Sequence, residues 1–159
     1  MGTIFKFHTD VDTDQIIASQ YLLFPTIDEM KTHTFESLDP DFASKVKPGD
    51  FVVAAENFGC GSSREQAPEI IKALGIQCVI AKSFARIFFR NSINNGLLLI
   101  EQPTLYDDIK EGDTVSVVMN EHIDYNGKEY PIASLPENLM DIIRAGGLVK
   151  AMRKLNGLD

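Results

Sequence analysis

The residues with the clearest chemical potential lie in one short run, ENFGCGSSREQAPE, which spans residues 56–69. It places Ser62, Ser63 and Arg64 directly after two glycines, where the pattern predicts that a strand passes through a loop into a helix. Two hydroxyls, a guanidinium and the free backbone N–H groups of a helix start all favour a bound anion, and glycines let the backbone approach it. The run therefore predicts a carboxylate or phosphate site.

Familiar catalytic and phosphate-binding motifs fit this loop poorly. It lacks the Lys-Ser/Thr pair of a P-loop and the third glycine of the dinucleotide fingerprint, so nucleotide binding is not expected. The Gly-x-Ser-x-Gly elbow is absent, and no histidine is close to Ser62 in sequence. Two alternatives stay open, namely an anion-binding module without chemistry and a serine hydrolase, which needs a histidine near Ser62 in space.

Composition excludes several other classes of function. The 159 residues carry a formal net charge of −8, which argues against nucleic acid and anionic membrane surfaces as partners. The two cysteines, Cys60 and Cys78, are too few for a cysteine-ligated cluster, and no histidine pair has metal-ligand spacing, so no metal site is expected in this chain. No membrane span or signal peptide is indicated, so we expect a cytoplasmic protein.

The elements that must position the loop follow an α/β pattern. Apolar runs predict three buried strands, at residues 51–55, 77–81 and 96–101. The helix after the loop begins either in a capping box from Ser62 to Glu65 or at Pro68, and Gly75 follows its end. The next helix is predicted to begin after an N-cap Ser83. Neighbouring parallel strands are therefore expected.

The first part of the chain is less regular. The run TIFKF, at residues 3–7, alternates like an edge strand. Pro25 and Pro40 exclude one long helix in the segment that follows, so we expect an extended, partly mobile loop and then a short helix near residues 41–46.

The last third changes to β-structure followed by helices. Asn126 and Gly127 lie between alternating segments and predict a type I′ hairpin. Two short helices follow, separated by Gly146 and Gly147. The predicted fold class is α/β, with one domain over residues 1–159, a barrel-like or sandwich β core, and helices packed outside.

Five segments occur along the chain in a diagnostic order: DTDQI (12–16), YLL (21–23), NFGCGSSRE (57–65), KSFARIFFRN (82–91) and NGLLLIE (95–101). Together they closely resemble the small subunits of 3-isopropylmalate dehydratases in the aconitase superfamily, and the resemblance spans about residues 4–155. It implies a swivelling domain that closes over a large partner subunit. It also implies that the partner holds a 4Fe-4S cluster on its own cysteines.

The same resemblance implies roles for individual residues. Ser62, as an alkoxide, would remove the proton from the carbon next to a carboxylate, and Arg64 with backbone amides would stabilise its charge. Ser63 and Arg64 would bind a substrate carboxylate, while the partner's iron takes the leaving hydroxyl. The implied reaction interconverts 2-isopropylmalate and 3-isopropylmalate in leucine biosynthesis, and neither subunit alone would turn over.

The YLL segment bears on the choice of substrate. Relatives that act on homoaconitate or isocitrate carry an arginine at about the position of Leu23, which pairs with a distal carboxylate. Here Leu22, Leu23 and Phe24 are uncharged, so an extra carboxylate would be buried unpaired and an alkyl group would gain apolar contact. The resemblance thus implies 3-isopropylmalate, with 2,3-dimethylmalate, citramalate and homoaconitate as alternative substrates.

Three positions depart from the family pattern, one of them the run Gly-Leu-Leu at residues 96–98, where relatives often read Gly-Leu-Pro. The roles of two arginines also stay open. Gln66 stands where relatives commonly carry a histidine, and no basic residue stands near Gln20. Arg86 and Arg90, four residues apart, are predicted to hold the loop or the large subunit, or to form ordinary surface ion pairs. Self-association of the isolated chain also stays open.

Overall fold

A computed structural model describes residues 2–157. The strands are β1 (Gly2–Lys6), β2 (Phe51–Ala54), β3 (Cys78–Ala81), β4 (Leu98–Glu101), β5 (Thr114–Val118), β6 (His122–Tyr125) and β7 (Lys128–Pro131). The α-helices are α1 (Thr13–Ile16), α2 (Ile27–Met30), α3 (Phe42–Lys45), α4 (Gln66–Ala73), α5 (Arg86–Asn94), α6 (Leu105–Asp108), α7 (Glu137–Ala145) and α8 (Leu148–Leu155). Two 3₁₀ turns span Ser19–Leu23 and Lys31–His33.

The strands form one curled sheet in the order β4-β3-β2-β1-β5-β6-β7. Strands β1 to β4 are parallel, and β5 to β7 join them antiparallel. The predicted α/β class and barrel-like core are therefore confirmed. The prediction of an edge strand at the N-terminus is wrong, because β1 pairs with β2 on one side and β5 on the other.

Both faces of the parallel half are covered, which explains why its strands read as continuous apolar runs. In β2, Val52 and Ala54 belong to the core beneath the helices, whereas Phe51 and Val53 belong to the second core on the opposite face. Alternate residues of a strand point to opposite faces, so a strand buried on both sides leaves no polar positions in its pattern. The three strands predicted in this region are all present.

The start of α4 differs from both predicted alternatives. The helix begins at Gln66, after Glu65, and no side chain caps it. The capping box from Ser62 to Glu65 is therefore wrong, and Ser62 is left in the loop. The start at Pro68 is also wrong, because Pro68 is the third residue of the helix, within the first turn where a missing N–H breaks no helical hydrogen bond.

The start of α5 also differs from the prediction. The helix begins at Arg86 after Ala85, and again no side chain caps it. Ser83 instead uses its hydroxyl to accept a hydrogen bond from the Asn57 N–H at 2.8 Å. This bond ties the end of β3 to the turn after β2, so the serine serves the loop connection and not the helix.

The remaining elements agree with the sequence except in the long loop. Residues 19–33 form short helical turns, so the predicted extended loop is wrong, but α3 confirms the short helix predicted after it. Asn126 and Gly127 have positive φ, as a type I′ turn requires, and Gly146 ends α7 in a left-handed conformation. Helices α7 and α8 confirm the two predicted C-terminal helices. Within residues 2–157, no helix is long and apolar enough to cross a membrane.

Candidate active site

The glycine-serine loop is held against the segment that precedes α1. The Gly59 N–H donates to the Val11 carbonyl at 2.7 Å, and the Thr13 N–H donates to the Cys60 carbonyl at 2.9 Å. The Thr13 hydroxyl also donates to the Ser62 carbonyl at 2.7 Å. Two segments that the sequence placed 45 or more positions apart are thereby joined by backbone bonds, and Ser62 occupies a defined position at their end.

Gly59 brings the loop onto the first turn of α5. It has φ +86°, and a Cβ at this position would lie 2.2 Å from the ring of Phe88. Gly61 also has positive φ, +94°, but a Cβ there would come no closer than 3.4 Å to another atom, the Thr13 Oγ1. Gly59 is therefore required by packing as well as by its backbone conformation, whereas Gly61 is required by conformation alone.

The loop and α5 enclose a cavity of about 230 Å³. Its walls are formed by Thr13, Gly59, Gly61, Ser62, Ser63, Arg64, Ala85, Arg86, Ile87, Phe88 and Asn91. The structure thus brings the three predicted polar residues of the loop together in one cavity. The positive end of a helix also faces it, but that helix is α5 and not the one that follows the loop in sequence.

The two serines differ in their surroundings. Ser62 is exposed, and its hydroxyl forms no hydrogen bond with any residue that the structure describes. The Ser63 hydroxyl accepts a bond of 3.3 Å from the Asn91 side-chain amide of α5. Ser62 therefore presents a free hydroxyl to the cavity, while Ser63 is oriented by α5. The sequence alone did not indicate a role for Asn91, since nothing in its spacing relates it to the loop.

Arg64 is anchored to α1. One terminal nitrogen of its guanidinium contacts the Asp14 carboxylate, and the other donates to the Ile17 carbonyl at 3.0 Å. Its side chain is only 15% exposed, whereas the Asp14 side chain is 67% exposed. Arg64 lines the cavity, but a neighbouring carboxylate already offsets part of its charge.

The residues predicted to select the substrate lie outside this cavity. Leu22 and Phe24 pack against the core beneath the helices, and Leu23 is 86% exposed. None of the three lines the cavity of the serine loop. Their contact with a substrate stays a prediction, which requires that the exposed Leu23 meet a ligand held between this chain and another.

The loop that carries these residues is stabilised by contacts among the side chains of Tyr21, His33 and Glu36. The Tyr21 hydroxyl donates to Glu36 at 2.5 Å, and His33 Nδ1 lies 2.6 Å from the other oxygen of the same carboxylate. The rings of Tyr21 and His33 stack with centroids 3.7 Å apart. The hydrogen bond from Tyr21, and to a smaller extent the hydrogen bond with His33, hold the pKa of Glu36 below its usual value of 4.5.

We expect Glu36→Gln to lower the free energy of unfolding at neutral pH. A depressed carboxylate pKa stabilises the fold above the unfolded pKa, and this contribution is lost as the pH falls through the folded pKa. The difference in the free energy of unfolding between wild type and Glu36→Gln should therefore become smaller below pH 4.5. Urea denaturation at neutral and acid pH measures it, and a difference independent of pH would contradict the assignment.

Histidine and cysteine chemistry is not supported at the serine loop. Of the histidines, His8 contacts the Thr9 carbonyl, His33 contacts Glu36, and His122 contacts Asp124; none lines the serine cavity. The serine hydrolase alternative therefore lacks the base that it requires.

The two cysteines are also poorly suited to nucleophilic chemistry. Burial, followed by the carboxylates of Asp10 and Asp12, raises the pKa of the Cys60 thiol. Burial alone raises the pKa of Cys78, which lies within β3. A thiol with a raised pKa has little of the reactive thiolate at neutral pH.

One group of potential metal ligands occurs elsewhere, on the hairpin of β6 and β7. His122, Asp124 and Glu129 have side-chain atoms within 4.8 Å of one another. His122 Nε2 lies 3.1 Å from Asp124 and 3.7 Å from Glu129, so ordinary ion pairs account for the arrangement. The expectation that this chain holds no metal stays a prediction.

Comparison with known proteins agrees with the fold. The sheet with an exposed Gly-Ser-Ser-Arg loop defines a class of α/β domain, and residues 8–105 match the model of the aconitase C-terminal domain. A 3-isopropylmalate dehydratase small subunit from Lachnospira eligens is 65% identical over 99% of this chain and 96% of its own length. A second, from Archaeoglobus fulgidus, is 52% identical over 98% of both chains.

A solved structure extends the same similarity to the coordinates. The 3-isopropylmalate dehydratase chain from Methanocaldococcus jannaschii superposes with a TM-score of 0.92 at 46% identity, over 98% of this chain and 93% of that one. The protein therefore belongs to the family of 3-isopropylmalate dehydratase small subunits, within the aconitase C-terminal domain family.

Proposed function

We propose that this chain is the small subunit of a hydro-lyase that interconverts 2-isopropylmalate and 3-isopropylmalate by dehydration and rehydration in leucine biosynthesis. The observation that carries the proposal is the cavity in which Ser62, Ser63 and Arg64 face the start of α5. Membership of the family shown above supports the same reaction. Ser62 is exposed on this chain alone, so we expect turnover to require a partner that closes the site to solvent.

The proton step is assigned to Ser62. A serine hydroxyl is a weak base in water, so its alkoxide needs positive groups around it and a site closed to solvent. The positive end of α5 and the guanidinium of Arg64 line the same cavity and supply such groups. Ser62 Oγ would take the proton from the carbon next to a carboxylate and return it in the reverse direction, while Ser63 and Arg64 bind that carboxylate.

The iron-sulfur cluster does not fit this chain. Cys60 and Cys78 are its only cysteines, and Cys78 is fully buried within β3. A 4Fe-4S cluster is held by several cysteine thiolates that converge on one point. We therefore propose that the large subunit holds the cluster, which would supply Lewis-acid chemistry there.

The substrate is proposed to be an alkyl-malate because the loop before α2 lacks a cation. An extra carboxylate near Leu22, Leu23 and Phe24 would be buried without a partner, whereas an alkyl group would gain apolar contact. The alternatives of 2,3-dimethylmalate and citramalate share this chemistry. Turnover of 3-isopropylmalate, 2,3-dimethylmalate and homocitrate by the reconstituted enzyme separates the classes, and we expect only the alkyl-malates to react.

We expect Leu23→Arg to change this preference. A guanidinium at this exposed position would pair with a distal carboxylate, so activity on homocitrate should appear and kcat/KM for 3-isopropylmalate should fall by roughly 10-fold or more. Leu23→Met, which adds no charge, is the matched control and should retain the wild-type preference. Unchanged selectivity in the arginine variant would contradict the assigned role of this loop.

Three broader assignments accompany this function. We propose that residues 1–159 act as one swivelling domain and that the protein works in the cytoplasm. Self-association of the isolated chain stays a prediction, and it would involve α8, which exposes Val149, Met152 and Leu155. Light scattering on the purified chain measures it. A stand-alone dicarboxylate-binding module is the competing class, and it would bind its ligand without a partner.

A further inference from the structure

We propose that Arg86 supplies the unneutralised guanidinium that binds a carboxylate of the substrate. This inference rests on the proposed function and adds a specific binding residue to it. The sequence favoured Arg64 for binding the substrate carboxylate. We assign part of this binding to Arg86, a residue on the opposite wall of the same cavity.

The two arginines of the cavity are in different electrostatic states. Arg64 is bound by the Asp14 carboxylate and by the Ile17 carbonyl, so both terminal nitrogens of its guanidinium already have a partner. Arg86 is exposed, and it forms no ion pair or hydrogen bond within residues 2–157. Only Arg86 therefore offers a full set of free donors to an incoming carboxylate.

The charge of the whole molecule makes a free local cation more important. The net charge of −8 repels a dicarboxylate, and Asp10, Asp12 and Asp14 lie on the segment next to the loop. A bound dianion must therefore be held by groups inside the cavity. Arg64, beside Asp14, meets this need only in part, whereas Arg86 forms no ion pair within residues 2–157.

Arg86 is also well placed on a rigid element. It is the first residue of α5, a helix of nine residues whose first turn lines the cavity and carries no side-chain cap. The close approach of Gly59 to Phe88 and the bond from Asn91 to Ser63 fix this helix against the serine loop. A carboxylate beside Ser63 would thus meet Arg86 and the positive end of the helix from one side.

Arg90 provides a matched control on the same helix. It lies one turn further along, is exposed, and likewise forms no ion pair with the described residues, but it does not line the cavity. From its spacing, the pair was predicted either to hold the loop or the large subunit or to form ordinary surface ion pairs. The structure separates them, because only Arg86 reaches the cavity wall.

The test uses the reconstituted two-subunit enzyme with 3-isopropylmalate as the substrate. We expect Arg86→Gln to raise KM by roughly 10- to 100-fold, the loss typical of one charged hydrogen-bonding partner, with a smaller effect on kcat. Arg86→Lys should recover part of the affinity, and Arg90→Gln should match wild type. Unchanged thermal unfolding of the variants would exclude a merely structural effect.

A second readout distinguishes carboxylate binding from other roles. Alkyl-malate inhibitors in which one or the other carboxylate is converted to an amide remove the charge that Arg86 recognises. Arg86→Gln should weaken the binding of the dicarboxylate and of one of the two monoamides. The affinity of the other monoamide should stay nearly unchanged. Equal weakening of all three inhibitors would overturn the inference.

The remaining outcomes also discriminate. If Arg86→Gln has the same KM as the wild-type enzyme, this inference is wrong. Turnover by the wild-type complex in the same experiment would still support the proposed function. If Arg86→Gln impairs only assembly of the two subunits, measured by sedimentation, the residue belongs to the docking surface and the inference is wrong. If the wild-type complex itself does not turn over, the proposed function fails and the inference fails with it.

Discussion

Ser62→Ala is expected to lower kcat of the reconstituted enzyme by roughly 10³-fold, because it removes the group assigned to accept the substrate proton. The loss should appear in kcat and not in KM, since the hydroxyl acts on the reacting carbon. Ser62 is exposed and its side chain forms no hydrogen bond within the described residues, so the substitution should leave folding and subunit assembly unchanged. Initial rates and thermal unfolding measure the two effects separately.

Ser63→Ala is the matched comparison for this variant. The Ser63 hydroxyl accepts a hydrogen bond from Asn91 and is assigned to substrate binding, so its loss should raise KM while turnover persists. The two adjacent serines would then affect different kinetic parameters, kcat for Ser62 and KM for Ser63. Wild-type activity in Ser62→Ala would refute the assigned base, whatever the behaviour of Ser63→Ala.

Gly59→Ala is expected to have the largest effect on stability among substitutions in the loop. Its Cβ would lie 2.2 Å from the Phe88 ring, and the backbone at φ +86° disfavours any side chain. Overpacking typically costs 1–3 kcal/mol and the left-handed conformation about 1–2 kcal/mol, so we expect a loss of roughly 3 kcal/mol. Turnover should also fall in the folded fraction, because the loop and α5 would be forced apart.

Gly61→Ala separates packing from backbone strain in the same loop. Its φ of +94° resembles that of Gly59, but a Cβ there meets nothing closer than 3.4 Å. Only the conformational cost of about 1–2 kcal/mol applies. Chemical denaturation of both variants measures the difference, and equal losses would show that the contact with Phe88 does not determine the requirement for glycine.

The sequence predicted the parallel half of the sheet well because burial on both faces leaves a strong signal. The strands predicted at residues 51–55, 77–81 and 96–101 were found from apolar runs alone, and their parallel pairing was expected from the helices between them. The position of β1 was missed, because its pairing with β5 joins residues more than 100 positions apart. An alternating pattern cannot reveal whether a strand has one neighbour or two.

Helix starts were missed for a local reason. Ser62 and Ser83 both stand where a capping serine is common, but each has a different task. Ser62 stays in the loop, and Ser83 accepts a hydrogen bond from Asn57 across the turn between strands. Capping residues form their bonds only when the neighbouring backbone is helical, so a tertiary contact can override the local preference.

The residues that line the serine-loop cavity were predicted in part, and their roles stay predictions. Ser62, Ser63 and Arg64 were visible as candidates because their types and the glycines before them are consecutive in the chain. The contact of Arg64 with Asp14 and the position of Arg86 were not found, because both depend on how distant segments are folded together. The charge state of a site is thus a tertiary property even when its chemical groups are visible in the sequence.

The most direct test is the rate at which 3-isopropylmalate is dehydrated by this chain mixed anaerobically with its cluster-loaded large subunit. The unsaturated product absorbs in the ultraviolet, so each subunit alone and the mixture can be followed in the same assay. We expect turnover only in the mixture. No turnover in the mixture, together with tight dicarboxylate binding by the isolated chain, would contradict the hydro-lyase and identify a binding module instead.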